Sequence, residues 1–127
     1  MKTEDFIRAY EESRNGANQF YRHPLVRNFA YSDGVKECAD AGCYWLLDIA
    51  ATEVPAVMRK EAETLATLIV TVTDGTAAIR LTGSGDRVLP WSKTIYVTDL
   101  PNGEWVFLIA DEGGGPTPFR MILITEY

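Results

Sequence analysis

Residues 65–82, LATLIVTVTDGTAAIRLT, decide the fold. The first nine positions, Leu65–Thr73, are rich in β-branched residues and partly alternate in polarity, which predicts a strand. Asp74-Gly75 is a strong signal for a two-residue hairpin turn, because both residue types accept positive φ. The return strand is predicted over Ala77–Thr82. We therefore expect an antiparallel hairpin in the second half of the chain.

Three further strands are predicted after this hairpin. Thr94–Thr98 alternates in polarity and ends at the turn residues Pro101-Asn102-Gly103. A glycine-rich loop separates the apolar segments Trp105–Ala110 and Phe119–Thr125. Strands that follow one another through turns indicate an antiparallel meander, here of about five strands within residues 64–127.

The first half of the chain, residues 1–63, reads as mainly helical. A first helix is expected to begin at Thr3, which can act as its N-cap, and to end at Asn15-Gly16. A second, short helix is expected after the N-cap candidates Ser32 and Asp33. Gly42 suits its left-handed C-terminal end.

A central helix is expected to form the core of the domain. Residues Cys43–Thr52 are apolar nearly all round, which is typical of a helix buried in the middle of a domain. Pro55 is expected to stop or redirect this helix, since proline removes a backbone donor. Residues 56–63 then form either another helical turn or a charged connector. The sequence predicts a single α+β domain, residues 1–127, with this buried central helix packed on a C-terminal antiparallel sheet.

Composition and charge exclude several classes of protein. With 127 residues, of which 46% are hydrophobic and 24% charged, the chain can bury one core. Its net charge of −6 is spread over both halves, and it lacks the clustered basic residues that nucleic-acid binding needs. The longest apolar run, Tyr44–Ala51, is too short to span a bilayer, and the first residues do not resemble a secretory signal. We expect an acidic cytoplasmic protein that binds neither membrane nor nucleic acid.

Residues that bind metals are scarce in this sequence. Cys38 and Cys43 are the only cysteines, and His23 is the only histidine. In a reducing compartment we expect two free thiols that pack as small hydrophobes, with a redox role left open. Three such residues are too few for a structural zinc site. The glycine clusters at 83–85 and 113–115 read as hairpin turns, so we predict no metal and no cofactor.

Asp48 requires a partner, because a carboxylate within an apolar helix is costly unless it is paired or hydrogen-bonded. The candidates are backbone groups, Tyr21, Arg22 and His23. In a structural interpretation, the contact ties the extended segment Gln19–His23 to the central helix. In a functional interpretation, His23 and Asp48 are an acid and a base in a pocket where Arg22 binds an anionic substrate. The sequence leaves open whether the protein is an enzyme, and these two are its weak catalytic candidates.

Aromatic residues suggest a binding surface. Trp91 follows Pro90 in an expected loop, which makes it a candidate for an exposed contact residue. The other aromatics belong either to the core or to a groove that binds a partner. They are Phe20, Tyr21, Tyr31, Tyr44 and Trp45. We expect any binding surface to lie near Trp91 or around Tyr21 and Tyr44.

An ordered set of motifs is shared with a known family. The motifs are FYRH at 20–23, SDGVK at 32–36, YWLLDI at 44–49, TIYVTDLP at 94–101 and the closing pair Glu126-Tyr127. From about residue 20 onward, the chain resembles a domain-of-unknown-function family of small bacterial proteins, often encoded on prophages and other mobile elements. The resemblance implies a genomic setting and supplies neither an activity nor a catalytic residue.

Three functional hypotheses follow from these observations. The first is a non-enzymatic module of a phage or mobile element that binds a host or phage protein, one version being an inhibitor of a host defence system, like anti-CRISPR proteins. The second is a small-molecule-binding protein or small enzyme with a pocket at His23 and Asp48. The third is an acidic mimic of nucleic acid. A homo-oligomer is compatible with each of them.

Overall fold

A computed structural model describes residues 3–12 and 19–126 of the chain. The helices are α1 (Thr3–Glu12), α2 (Asp33–Cys38) and α3 (Tyr44–Lys60). The strands are β1 (Phe20–Arg22), β2 (Phe29–Ser32), β3 (Leu65–Thr73), β4 (Thr76–Thr82), β5 (Val88–Ile95), β6 (Gly103–Asp111) and β7 (Phe119–Leu123). The expected end of the first helix at Asn15-Gly16 lies outside the described residues.

The seven strands of the described residues form one mixed sheet in the order β1-β2-β7-β6-β3-β4-β5. Neighbours are antiparallel except β2 and β7, which are parallel. Strands β3 to β5 follow one another, and β6 returns to lie beside β3, as in a Greek key. The predicted α+β class is confirmed, but the meander of about five strands is wrong. The sheet gains β1 and β2 from the first half of the chain, and β6 pairs with β3 instead of β5.

The hairpin of β3 and β4 forms as the sequence predicts. Thr73 pairs with Thr76 across Asp74 and Gly75, whose φ angles are +48° and +81°. Two successive positive φ values are the backbone of a type I′ turn, which matches the twist of paired strands. Alternate residues of β3 are buried, so one face of the sheet belongs to the core.

All three helices contribute side chains to the core on that face. From α1, the ring of Phe6 contacts Trp105 of β6 edge to face, and Tyr10 contacts Phe107 of the same strand in the same way. From α3, buried residues such as Leu46 join the same hydrophobic cluster. The alternate residues of β3, on the opposite face, are only half-buried. The helices and the sheet therefore form two layers, and no helix covers the second sheet face within the described residues.

α3 continues past Pro55, so the expected stop is wrong. The helix includes Pro55 and ends at Lys60, which settles residues 56–60 as further helical turns. A proline inside a helix costs about 3 kcal/mol or more through the lost hydrogen bond and the steric clash. Here Pro55 is buried together with its helix neighbours Val54 and Met58. Burial of this apolar face offsets the cost.

α3 is also less buried than the sequence suggests. Tyr44, Asp48, Thr52 and Ala56 are exposed. Residues four apart lie above one another on a helix, so these four make a single stripe that faces solvent. The prediction of a helix buried all round is wrong, because a narrow exposed stripe is easily hidden in a sequence of mostly apolar residues.

The connection between α2 and α3 confirms two local signals. Ser32 is the N-cap of α2, and its hydroxyl accepts the Val35 N–H at 3.1 Å. Gly42 has φ +131°, a conformation that disfavours any residue with a Cβ. It lies in a π-helical turn, Ala39–Cys43, that continues from the end of α2. This turn redirects the chain into α3.

β5 changes the interpretation of Trp91. The strand covers Val88–Ile95 rather than the expected Thr94–Thr98, so Trp91 lies within a strand and not in a loop. Pro90 does not prevent this, because β5 is an edge strand, where a position without an N–H is tolerated. Tyr96 and Val97 follow the strand and are strongly exposed.

The end of β7 is tied to α2 by the buried carboxylate of Glu126. Its Oε1 accepts from the Ser32 hydroxyl at 2.5 Å and from the Leu123 N–H at 2.8 Å, and its Oε2 accepts from the Gly34 N–H at 3.3 Å. Burial raises the pKa of Glu126, against the opposing effect of these hydrogen bonds. One side chain thus holds β2, α2 and β7 together.

We predict that Glu126→Ala lowers the free energy of unfolding by about 2–4 kcal/mol, because the Leu123 N–H and the buried Ser32 hydroxyl lose their acceptor, whereas the Gly34 N–H keeps Asp33. Glu112→Ala is the control, since Glu112 is exposed and its loss should cost less than about 1 kcal/mol. Urea denaturation followed by circular dichroism measures both. An equal decrease in the free energy of unfolding of both variants would show that the buried contacts of Glu126 stabilise the fold no more than an exposed side chain does.

Candidate functional site

His23 and Asp48 form the contact that the structural interpretation of the sequence expects. Nε2 of His23 lies 2.8 Å from Oδ1 of Asp48. Nδ1 accepts from the N–H groups of Leu25 at 3.1 Å and Val26 at 3.0 Å. Because Nδ1 is an acceptor, Nε2 carries the hydrogen that is donated to Asp48. The side chain of His23 is 2% exposed and that of Asp48 is 60% exposed. Asp48 is therefore partnered, but it faces solvent and is not the buried carboxylate that the sequence suggests.

This arrangement does not equip His23 for acid–base catalysis. Both ring nitrogens are engaged, whereas a general base needs a free nitrogen within reach of a substrate proton. In the part of the chain that the structure describes, three surface cavities of 310, 210 and 250 Å³ are lined by residues other than His23 and Asp48. The imidazole instead joins the turn after β1 to the exposed stripe of α3.

We predict that His23→Ala lowers the free energy of unfolding by about 2–3 kcal/mol, because two backbone donors lose their acceptor and a buried ring is removed. Asp48→Asn should cost less than about 1 kcal/mol, since the amide oxygen still accepts from Nε2. Urea titration compares the variants, and long-range ¹H–¹⁵N spectra should show the hydrogen on Nε2. A hydrogen on Nδ1 would contradict this description.

Next to this pair, charged groups hold a tyrosine in place. The Lys36 Nζ donates to Oδ2 of Asp40 at 2.8 Å, and the Tyr44 hydroxyl donates to Oδ1 of the same carboxylate. Lys36 first, and Tyr44 second, hold the pKa of Asp40 below its usual range. The same hydrogen bond raises the pKa of Tyr44. The ring of Tyr44 is 47% exposed, so a large aromatic surface is presented in a fixed position.

Two further tyrosines extend this network towards β1. The rings of Tyr21 and Tyr31 stack with centroids 5.9 Å apart, and the ammonium of Lys36 lies 5.6 Å from the centroid of Tyr21. Burial raises the pKa of Tyr31, and the charges of Asp40 and Asp48 add to this effect. We name the whole set the tyrosine–carboxylate surface. It consists of Tyr21, Lys36, Asp40, Tyr44 and Asp48, together with the buried Tyr31 that stacks against Tyr21.

The structure divides the binding residues that the sequence suggests. Tyr21 and Tyr44 belong to the tyrosine–carboxylate surface, and His23 lies beneath Asp48. Arg22 is exposed and alternates with Tyr21 along β1, so it belongs to the other sheet face. Trp91 is half-buried on β5, at the far edge of the sheet, where its Nε1 donates to Glu53 at 3.3 Å. A binding role for Arg22 or Trp91 stays a prediction.

The sequence interpretation missed Lys36 and Asp40. These two residues and Tyr44 are spaced four apart, and such a spacing brings side chains together along a helical path. The break at Gly42 hid this signal, because it placed Lys36 and Tyr44 in different helices. In the structure, Asp40 lies in the π-helical turn between them and contacts both side chains.

A second cluster, around Glu63, was also missed. The carboxylate of Glu63 accepts from the hydroxyl of Ser84 at 2.5 Å and from Arg87 at 2.9 Å. The Ser84 hydroxyl first, and Arg87 second, lower the pKa of Glu63 to about 2. A Cβ at Gly83 would lie 2.3 Å from Oε2 of Glu63, so a larger residue there would displace this carboxylate from its partners. These contacts fasten the segment before β3 to the β4–β5 connection, which is a structural role.

Cys38 and Cys43 are buried free thiols. The Cys43 thiol donates to the Cys38 carbonyl at 3.1 Å. Burial raises the pKa of both thiols, that of Cys43 to about 12. The expectation that they are free thiols that pack in the core is confirmed, and neither carries the thiolate that redox chemistry needs.

We predict that neither cysteine reacts with a thiol reagent in the native protein at pH 8, because thiolate is scarce and access is blocked. Both should react promptly in 6 M guanidinium chloride. Absorbance of the released thiol product from Ellman's reagent measures the two rates. Fast labelling of the folded protein would contradict the buried position of these thiols.

Two features are absent from the described residues. No group of three or more histidine, cysteine, aspartate or glutamate side chains is arranged to hold a metal ion in residues 3–12 and 19–126. Over the same residues, no helix combines the length and apolar character needed to cross a membrane.

These features define a two-layer α+β domain that presents a tyrosine–carboxylate surface. The model of a family of unknown function, DUF6876, matches residues 9–127, and the chain belongs to this family. This confirms that the chain belongs to a family of unknown function, while the bacterial and mobile-element setting stays a prediction. Searches of curated proteins and of solved structures each gave no significant match.

Proposed function

We propose that this protein is a non-enzymatic protein-binding module and that it contacts its partner through the tyrosine–carboxylate surface. The observation that supports this most is the fixed position of Tyr44, which Asp40 holds while Lys36 holds Asp40. An exposed aromatic side chain supplies much contact area, and fixing it beforehand reduces the entropy lost on binding. Such anchors are frequent among the residues that dominate binding energies.

Charge indicates the chemistry of the partner. Asp48 is largely exposed, and the chain carries a net charge of −6. The only cation of the tyrosine–carboxylate surface, Lys36, is already paired with Asp40. An acidic surface attracts a basic one, accelerates the encounter and disfavours acidic partners. We infer a partner protein with a basic contact surface.

From the motif resemblance we infer that this partner is a host or phage protein in a bacterial cytoplasm. Prophages and mobile elements encode small acidic proteins that act by binding. Inhibition of a host defence system, like that by anti-CRISPR proteins, is the more specific form of the proposal. It rests on the resemblance, whereas the binding surface rests on contacts between named side chains.

The alternative, a small-molecule site or enzyme pocket at His23 and Asp48, receives less support. It needs a free imidazole nitrogen at a cavity, and both nitrogens of His23 are hydrogen-bonded. The binding-module proposal makes no demand on His23 other than its contact with Asp48. We therefore rank the alternative second.

We predict that affinity capture from a bacterial host lysate recovers one protein reproducibly with the wild type, and about tenfold less of it with Tyr44→Ala. Tyr96→Ala is the matched control, because Tyr96 is a more exposed tyrosine outside the tyrosine–carboxylate surface. Quantitative mass spectrometry measures the recovered partner. Equal recovery by both variants, or no reproducible partner, would refute this surface.

Charge can be tested on the same captured partner. Asp48→Asn keeps the acceptor for His23 and removes the negative charge, so it should slow association and weaken its dependence on salt. Glu104→Gln removes an exposed charge on β6, outside the tyrosine–carboxylate surface, and should have a smaller effect. Biolayer interferometry at low and high salt separates the two variants.

A further inference from the structure

A cavity of 250 Å³ opens on the sheet face opposite the helices. Leu108 of β6 pairs across the sheet with Thr67 and Ile122, and it alternates with Phe107 and the next residue of β6, which face the core. The apolar residues that line the cavity are Phe20, Leu65, Leu108, Ala110 and Ile122. Its polar lining consists of Glu112, Arg120 and Glu126.

Arg120 has an unused hydrogen-bond donor at this cavity. Its Nε is shielded from solvent and has no hydrogen-bond partner. Its Nη1 lies 3.7 Å from Oε2 of Glu112, which is too far for a hydrogen bond. The guanidinium rests 4.9 Å from the ring centroid of Phe20, which keeps its plane fixed. Because Nε has almost no accessible surface, a ligand oxygen reaches it only after the side chains that cover it move aside, and it then satisfies a donor that lacks an acceptor.

The two glutamates that line the cavity, Glu112 and Glu126, do not supply that acceptor. Both carboxylate oxygens of Glu126 accept hydrogen bonds from Ser32, Leu123 and Gly34. Glu112 is largely exposed, so its side chain is free to turn towards water when another acceptor takes its place. The cavity therefore combines an apolar floor with one arginine edge that lacks an acceptor.

We propose that this cavity binds a small monocarboxylate with a compact apolar body. The two oxygens of a carboxylate match the side edge of a guanidinium, where Nε and a terminal nitrogen donate in parallel. The body of the ligand packs against Leu65, Leu108 and Ile122. Pockets for drug-sized ligands measure roughly 300–1,000 Å³, so this cavity suits an acid the size of hexanoate or benzoate. The site is separate from the tyrosine–carboxylate surface, and either proposal can fail alone.

A series of matched ligands tests the proposal on the full-length wild-type protein. Hexanoate, 1-hexanol and hexylamine share one body and differ in the head group. Titrations followed by ¹H–¹⁵N correlation spectra should show hexanoate shifting the amides of residues 108–110 and 120–122. We expect hexanol to bind at least about tenfold more weakly, because it cannot form the charge-assisted bidentate contact. We expect hexylamine not to bind. Equal affinity for acid and alcohol, preference for the amine, or no shift at these residues would overturn the proposal.

Variants then identify which residues bind the head group of the ligand and which bind its apolar body. Arg120→Gln should abolish the preference for hexanoate over hexanol, whereas Arg80→Gln, an exposed arginine of β4, should retain it. Ala110→Leu fills part of the cavity and should weaken hexanoate and hexanol together. Retention of the acid preference in Arg120→Gln would overturn the role of Arg120. If a variant does not fold, the ligand series on the wild type still decides.

Discussion

The carboxylate of Glu126 is the constraint on which the rest of the molecule depends. A buried carboxylate is tolerated only while its hydrogen-bond donors are in place, and here the donors come from β2, α2 and the end of β7. The parallel pairing of β2 with β7 and the position of α2 are therefore fixed together. α2 carries Lys36, which orders Asp40 and Tyr44. The geometry of the tyrosine–carboxylate surface thus depends on a contact at the N-terminal end of α2.

Features that depend on neighbouring residues could be predicted from the sequence, and features that depend on distant ones could not. The Asp74-Gly75 turn and the Ser32 cap each require only a few consecutive residues, and both form as predicted. β2 has only four residues, and its partner β7 follows after most of the chain. No local pattern indicates such a pairing. Pro55 reads as a helix stop locally, but its burial within α3 overrides that preference.

The candidate sites show the same division. The requirement that Asp48 have a partner follows from the cost of a carboxylate beside apolar residues, and His23 meets it. The exposure of Asp48 was not predicted. The exposed stripe of α3 includes small and aromatic residues, so its sequence resembles that of a buried helix. The cavity beside Arg120 is lined by residues of β1, β3, β6 and β7, and the order of these strands in the sheet could not be predicted. The sequence shows what each residue can do chemically. Which residues lie together depends on the order of the strands, which the sequence does not show.

The parallel pairing of β2 with β7 also orders events during synthesis. Ser32 and Glu126 are 94 positions apart, so the strand at 29–32 has no neighbour on one side until residues 119–126 have left the ribosome. Contacts of such long range slow folding, since the chain loses entropy before it gains the contact. During that interval Phe29 and the other apolar residues destined for the core lack their cover, and exposed apolar surface of this kind favours aggregation.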